Sequence, residues 1–231
     1  MGLNSFIARE PRPLPIIVLA DTSGSMRGNK IDELNLSLRD MVSTLRGADD
    51  IRGKFQLAVV SFGEHVRLVQ PLRDIEDIEL PELSASGRTP LGQAIERVKE
   101  MIEDKEVISS RAYTPTIVLI SDGMPTDCTE EMCERGNYSE WQPLRGLCTD
   151  GRSARCQRLA LGIGEDADLN MLKAFIGNPS IPVIRVKDSS DILKFFRWVT
   201  MSTVARMNSV RPDDAEFLVP VFDIDDEDII I

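Results

Sequence analysis

The 231-residue chain predicts an α/β protein: a doubly wound, mostly parallel central sheet with one antiparallel edge strand and helices on both faces. Three observations carry this. Short unbroken apolar runs recur along the chain, Ile16-Ile17-Val18-Leu19-Ala20, Thr116-Ile117-Val118-Leu119-Ile120-Ser121 and Leu159-Ala160-Leu161-Gly162-Ile163-Gly164, and each suits a strand buried on both faces. Between such runs lie stretches with apolar residues at helical spacing. One further run, Phe55 to Phe62, meets a Gly63-Glu64 turn and is followed by His65 to Leu72, which suits a hairpin partner at a sheet edge.

Taken in order, residues 9–15 are proline-rich and extended, and residues 16–20 are the first strand. Ile31, Leu34, Leu38, Met41, Val42 and Leu45 mark an amphipathic helix, and Asp49 to Gly53 a turn. Asp74 to Glu82 is acidic and ends at a proline, as a surface connection would. Leu91, Ile95, Val98 and Ile102 form the next helical stripe. After the strands at 116–121 and 159–164, Leu169 to Ile176 reads as a short helix stopped by Gly177-Asn178-Pro179, and Pro182 to Val186 as the last strand. Asp188-Ser189-Ser190-Asp191 offers N-caps to a helix striped by Ile192, Leu193, Phe196, Val199 and Val204, with Trp198 and its phenylalanines as core. Residues 1–14 are thus an extended segment, 15–207 the domain with an insert at 127–157, and 208–231 an acidic tail.

The net charge of −11 is concentrated in that tail. Residues 213–231 hold eight acids and no Lys or Arg, leaving a body of 27 basic and 30 acidic residues. With no basic block, nucleic acid and anionic membrane surfaces are not expected partners. No run of about 18 apolar residues or signal-type apolar region is present, so a cytoplasmic protein is expected. His65, the one histidine, reads as a surface residue beside a turn.

The chemistry gathers where strands end. Ile16–Ala20 runs into Asp21-Thr22-Ser23-Gly24-Ser25, which offers a carboxylate and two hydroxyls on alternate residues, with Gly24 letting the loop fold tightly. Ser86-Gly87-Arg88-Thr89-Pro90-Leu91-Gly92 adds the Thr89 hydroxyl at a helix start, and Ser121-Asp122-Gly123 a second carboxylate after a buried strand. Hard oxygen donors at the carboxyl ends of buried strands suit a hard divalent cation. The same residues are good turn and cap chemistry by themselves.

In these positions the chain resembles the von Willebrand factor A (VWA) domains and their metal-ion-dependent adhesion site (MIDAS). Asp21, Ser23 and Ser25 stand at the family's D-x-S-x-S, Thr89 at its separate threonine, and Asp122 at its later aspartate. The resemblance runs from about residue 15 to residue 203. The Thr89-Pro90-Leu91-Gly92 run, the strand at 159–164 and Phe195-Phe196-Arg197-Trp198-Val199 are similar to the bacterial tellurium-resistance TerY-type subgroup. The resemblance implies Mg²⁺, Mn²⁺ or Ca²⁺ at the five residues, a protein partner that supplies an Asp or Glu carboxylate, and a bacterial stress-response or signalling setting with kinase- or phosphatase-like partners. The motif loops offer no histidine or lysine pair as a base, so no catalysis is expected. Two other readings stand beside it: a metal-dependent hydrolase or phosphatase centred on Asp21, and a scaffold with a vestigial metal site.

All four cysteines, Cys128, Cys133, Cys148 and Cys156, fall in the insert, with four, fourteen and seven residues between them. A structural Zn²⁺ site, two disulfides and free thiols are the competing readings. The insert reads as a long polar loop that needs a staple, with Tyr138 and Trp141 as anchors for a partner. Asp223 to Asp228 with Ile229-Ile230-Ile231 forms a carboxylate-rich segment that could dock on the metal face; the alternative is a solvated tail.

Overall fold

A computed structural model of the chain describes residues 10–48, 53–187, 189–218 and 229–230. Seven strands form one sheet: β1 (Arg12–Asp21), β2 (Gly53–Phe62), β3 (Val66–Asp74), β4 (Thr116–Ser121), β5 (Gln157–Ile163), β6 (Val183–Val186) and the two-residue β7 (Ile229–Ile230). Among the described residues six α-helices accompany them: α1 (Asn29–Arg46), α2 (Leu91–Glu103), α3 (Glu130–Arg135), α4 (Gln142–Thr149), α5 (Leu169–Ile176) and α6 (Ile192–Asn208). The strand order is β3-β2-β1-β4-β5-β6-β7. β2, β1, β4, β5 and β6 are parallel, β3 is the expected antiparallel edge, and Ile229–Ile230 pairs antiparallel with Val183–Ile184 at the other edge.

This order places the site. The chain leaves β1 to one side for β2 and β3, then crosses back to lay β4 on β1's other flank and continues outward to β5 and β6. The direction of winding therefore reverses between β1 and β4, and the loops after these two strands part there, leaving a crevice at their carboxyl ends. The register pairs Ala20 with Ile120, so Asp21 and Ser121 emerge side by side.

Each sheet face is covered by its own apolar layer. On one, Val18, Ile16 and Val118 pack with Leu34, Leu38 and Met41 of α1 and Phe195, Phe196 and Val199 of α6. On the other, Ile17, Leu19 and Leu119 pack with Ile95 and Val98 of α2, Leu144 and Leu147 of α4 and Phe175 of α5. Alternate residues of β1 and β4 thus serve opposite layers, which is why these strands read as unbroken apolar runs. Phe195, Phe196 and Trp198 are core, as expected.

Three expectations need correction. β1 begins at Arg12, so Pro13 and Pro15 lie within a strand. Both fall where β1 pairs with β2 alone, before β4 joins at Ile16, so their missing N–H groups interrupt no ladder on that side. The connection after β3 is not merely surface: Ile75, Ile78 and Leu83 are buried against α1. The cysteine insert is not a long loop either. It folds as α3, α4 and short 3-10 turns, and Tyr138, Trp141, Leu144 and Leu147, spaced by three, all enter the core. Tyr138 and Trp141 are therefore packing residues rather than partner anchors. The Tyr138 hydroxyl donates to Asp168, whose carboxylate also caps α5 through the Met171 N–H at 3.0 Å.

Of the tail, residues 209–218 run along the body at the amino ends of β4 and β5. There Asp213 accepts from the Thr114 N–H at 2.7 Å, Gln157 Nε2 donates to the Ala215 carbonyl at 3.0 Å and Trp198 Nε1 to the Leu218 carbonyl at 2.8 Å. That is the end of the sheet away from Asp21 and Asp122; the acidic run Asp223 to Asp228 lies outside the described residues.

Candidate metal site

Three loops meet at the crevice. The first begins at Asp21, the last residue of β1, which is fully buried. Its Oδ1 accepts from the Ser23 N–H at 2.8 Å, an Asx turn that bends the chain across the strand end, and its Oδ2 accepts from the Ser121 hydroxyl at 2.6 Å. Ser23 is buried, Ser25 is exposed, and their hydroxyls are hydrogen-bonded at 3.0 Å. Ser25 Oγ then donates to Asp122 Oδ1 at 2.7 Å. A continuous set of hydrogen bonds therefore runs Ser121–Asp21–Ser23–Ser25–Asp122. The fully buried Met26 side chain pins this loop to the core.

The second loop is stitched to the first by the Gly24 N–H on the Gly87 carbonyl at 3.0 Å and the Ser86 N–H on the Thr22 carbonyl at 2.8 Å. Gly63 and Gly87 make this approach possible. A Cβ on Gly63 would lie 2.4 Å from the Thr22 carbonyl oxygen; Gly87 has φ +80°, and its Cβ would meet the Glu64 backbone at 2.3 Å. Thr89, nearly buried, is held from the third loop: its N–H donates to Thr126 Oγ1 at 3.1 Å and its carbonyl accepts from the Thr126 N–H at 2.9 Å. The neighbouring Asp127 carboxylate accepts from the Gly92 and Gln93 N–H groups at 3.1 and 3.0 Å, capping α2 directly after Thr89.

The structure thus links Asp21, Ser23, Ser25 and Asp122 by hydrogen bonds, the first through the Ser23 backbone N–H, and sets Thr89 on the adjoining loop. Ser121, Thr126, Asp127 and Lys30 also build the site, beyond the five residues of the sequence motif. Ser121 and Lys30 lie within or beside the motif stretches, and the serine preceding Asp122 was the available signal. Thr126 and Asp127 gave none, because their partners lie 37 and 35 residues away.

Burial pushes the Asp21 carboxyl up to about 6, the nearby Asp122 charge adding to this, against the hydrogen bonds from Ser121 and Ser23. Asp122 has a cation: Lys30 Nζ lies 2.6 Å from Oδ2. Two buried carboxylates, of which Asp122 alone is paired with Lys30, together with the neighbouring hydroxyl oxygens are a donor set that fits a hard divalent cation. Beside these loops a polar groove of about 220 Å³ is lined by Thr22, Glu64, the exposed His65, Arg67, Glu82 and Ser86.

The cysteines form no comparable center. All four are free, and among the described residues no three His, Cys, Asp or Glu side chains gather to hold a metal ion. The structure therefore shows neither the four-thiolate nor the two-disulfide arrangement. Cys128 and Cys133 flank the Thr129 cap of α3, the positions where a hydrophobic staple packs, and burial with the neighbouring Cys133 pushes the Cys128 thiol up to about 12. Cys156, buried before β5, is likewise pushed up to about 12 by burial. Packing orders the insert.

Residues 16–124 match the family model of the von Willebrand factor type A domain. A 123-residue stretch is 32% identical to inter-alpha-trypsin inhibitor heavy chain H4 of Sus scrofa, covering 49% of this chain and 13% of that protein. Among solved structures, the ArnB paralog VWA2 of Sulfolobus acidocaldarius superposes with a TM-score of 0.58 at 23% identity, over 85% of this chain and 46% of its own. Proximal thread matrix protein 1 of the mussel byssus, described with a zinc-occupied MIDAS motif, superposes with a TM-score of 0.56 at 16% identity, over 84% and 48%. The chain spans less than half the length of each of these proteins. Among the described residues no helix is long and apolar enough to cross a membrane.

Proposed function

We propose that this chain, whose fold is that of a VWA domain, is a divalent-cation-dependent protein-interaction module that takes a carboxylate of its partner at Asp21, Ser23, Ser25, Thr89 and Asp122. The observation that carries the reading is the burial of two carboxylates side by side at the switch point, joined through Ser23 and Ser25. Asp21, Ser23, Ser25, Thr89 and Asp122 would hold a hard cation, Mg²⁺ or Mn²⁺, which would supply the positive charge that attracts the partner's Asp or Glu. Ser25 is the exposed member of the set, so the approach is from its side, and the adjoining polar groove gives room to the residue beside the partner's carboxylate. The zinc-occupied motif of the mussel protein supports a metal at this place in the fold.

Catalysis is not proposed. Asp21, the candidate nucleophile, is buried with both oxygens already accepting hydrogen bonds. The relatives named above include an inhibitor heavy chain and a matrix protein, and none bears an enzyme's name. The resemblance of residues 89–92, 159–164 and 195–199 to the TerY-type subgroup supports a cytoplasmic, bacterial stress-response or signalling setting with kinase- or phosphatase-like partners. One observation favours a metal-free scaffold instead: Lys30 already neutralises one of the two carboxylates.

Calorimetry separates the two. Heat on titration with Mg²⁺ or Mn²⁺, lost in Asp21→Ala, is the expected result, and no heat from either ion overturns the metal reading. Proteins retained by the wild type in Mg²⁺, released by EDTA and not retained by Asp21→Ala support carboxylate capture. Retention indifferent to both treatments contradicts it.

A further inference from the structure

Lys30 stands outside the five residues of the proposed metal set but touches one of them. It is the second residue of α1, in the turn where the helix presents its positive end, and a cation there is locally disfavoured. A residue that breaks a local rule calls for a compensating contact, and here that contact is Asp122. The ammonium lies 2.6 Å from Asp122 Oδ2, with a side chain 32% exposed against 0% for the carboxylate. The other oxygen of Asp122 accepts from Ser25 Oγ at 2.7 Å. Asp122 is therefore gripped on one side by a hydroxyl of the metal set and on the other by a charge. Asp21 is treated differently, since it accepts from neutral groups, the Ser23 N–H and the Ser121 hydroxyl. The cluster of Asp21, Asp122 and Lys30 thus carries one net negative charge where the two acids alone would carry two.

We propose that Lys30 is an affinity-setting residue, a built-in counter-charge that holds Asp122 in place and keeps the site's grip on a divalent cation weak. The inference rests on the metal reading given above and deepens it. A weakly held cation is taken up together with the partner's carboxylate: each raises the affinity of the other, because the incoming carboxylate restores the negative charge that Lys30 offsets. Lys30 is a positioning residue that acts through Asp122.

The test is calorimetric titration of the full chain with Mn²⁺, as wild type, Lys30→Met, Lys30→Gln and Lys30→Arg, with the thermal midpoint in EDTA read for each. Removing one unit charge beside a ligand carboxylate is expected to tighten Mn²⁺ binding about tenfold in Lys30→Met and Lys30→Gln even with strong solvent screening, while Lys30→Arg stays within about twofold of wild type. In EDTA the two neutral variants melt below wild type, because Asp122 has lost its cation, and Mn²⁺ raises their midpoints by more than it raises that of the wild type. Lys30→Gln retains a hydrogen-bond donor for Asp122, so it reports on charge even if Lys30→Met folds poorly. Unchanged or weaker Mn²⁺ affinity in Lys30→Gln, with wild type binding normally, overturns this inference and leaves the metal reading standing. Absence of binding in the wild type and in every variant overturns both.

Discussion

The two ends of β4 both bury charge, and they satisfy it in different ways. At the amino end the Arg206 guanidinium, 1% exposed, donates to Thr116 Oγ1 at 2.9 Å, to the Thr114 carbonyl at 2.8 Å and to the Pro212 carbonyl at 2.6 Å, with Asp213 at 3.5 Å. Burial pulls its pKa down to about 10, opposed by the Asp213 charge. At the carboxyl end Asp21 and Asp122 are buried with hydroxyls, one amide and the single ammonium of Lys30. The arginine's donors are met by the chain itself, so its role ends with the fold. The carboxylates carry more negative charge than the chain offsets, and a buried charge left short of a partner is what a binding site for an external ion requires.

Four experiments would break or sharpen that contrast. The largest effect is expected at the amino end. Arg206→Met leaves two carbonyls and a hydroxyl without their donor, so chemical denaturation should show a loss of about 3 kcal/mol, or about 6–12 °C in thermal midpoint, with divalent affinity unchanged. A small loss would mean that the clamp is dispensable and the contrast unsound. Next, saturating Mg²⁺ should stabilise the wild type by about 2.7 kcal/mol at a hundredfold excess over the dissociation constant, readable as a rise in thermal midpoint that EDTA reverses. Third, Asp21→Asn should stabilise the metal-free protein by about 2 kcal/mol, since it removes a desolvated charge while keeping an acceptor for the Ser23 N–H. The same variant should abolish the Mg²⁺ effect; destabilisation in EDTA would show that Asp21 is a structural acid like any other. The smallest change is expected for Asp127→Ala, which uncaps α2 at about 1 kcal/mol and loosens Thr89, so a modest fall in midpoint should accompany a several-fold loss of Mg²⁺ affinity. Affinity unmoved by that loss would place Thr89 outside the metal set.

The same contrast bears on what could be read from residues alone. β4, α5 and the carboxyl end of β1 were legible to within a residue because each announces itself locally: an apolar run that ends at Asp21 or at Ser121-Asp122, and a helix stopped by Gly177. The insert looks like a loop in sequence because the spacing Tyr138, Trp141, Leu144, Leu147 is set among polar residues and flanked by Cys133 and Cys148. Ile75 and Ile78 were misread because a short acidic segment looks solvated until α1 is laid over it. The Arg206 clamp was invisible, since its partners lie at positions 114, 116, 212 and 213.

By itself, then, the sequence determined the strand-and-helix alternation, the buried character of β1 and β4, and the oxygen-bearing residue types that follow them, because hydrophobic periodicity and turn chemistry are properties of neighbours along the chain. Only the tertiary structure decided that Asp21 accepts from Ser121, that Asp122 is held by Ser25 and Lys30, and that Thr126 and Asp127 support the Thr89 loop. Those are contacts between segments far apart in the chain, created when the winding reverses between β1 and β4, and no local pattern encodes which side chains such a reversal brings face to face.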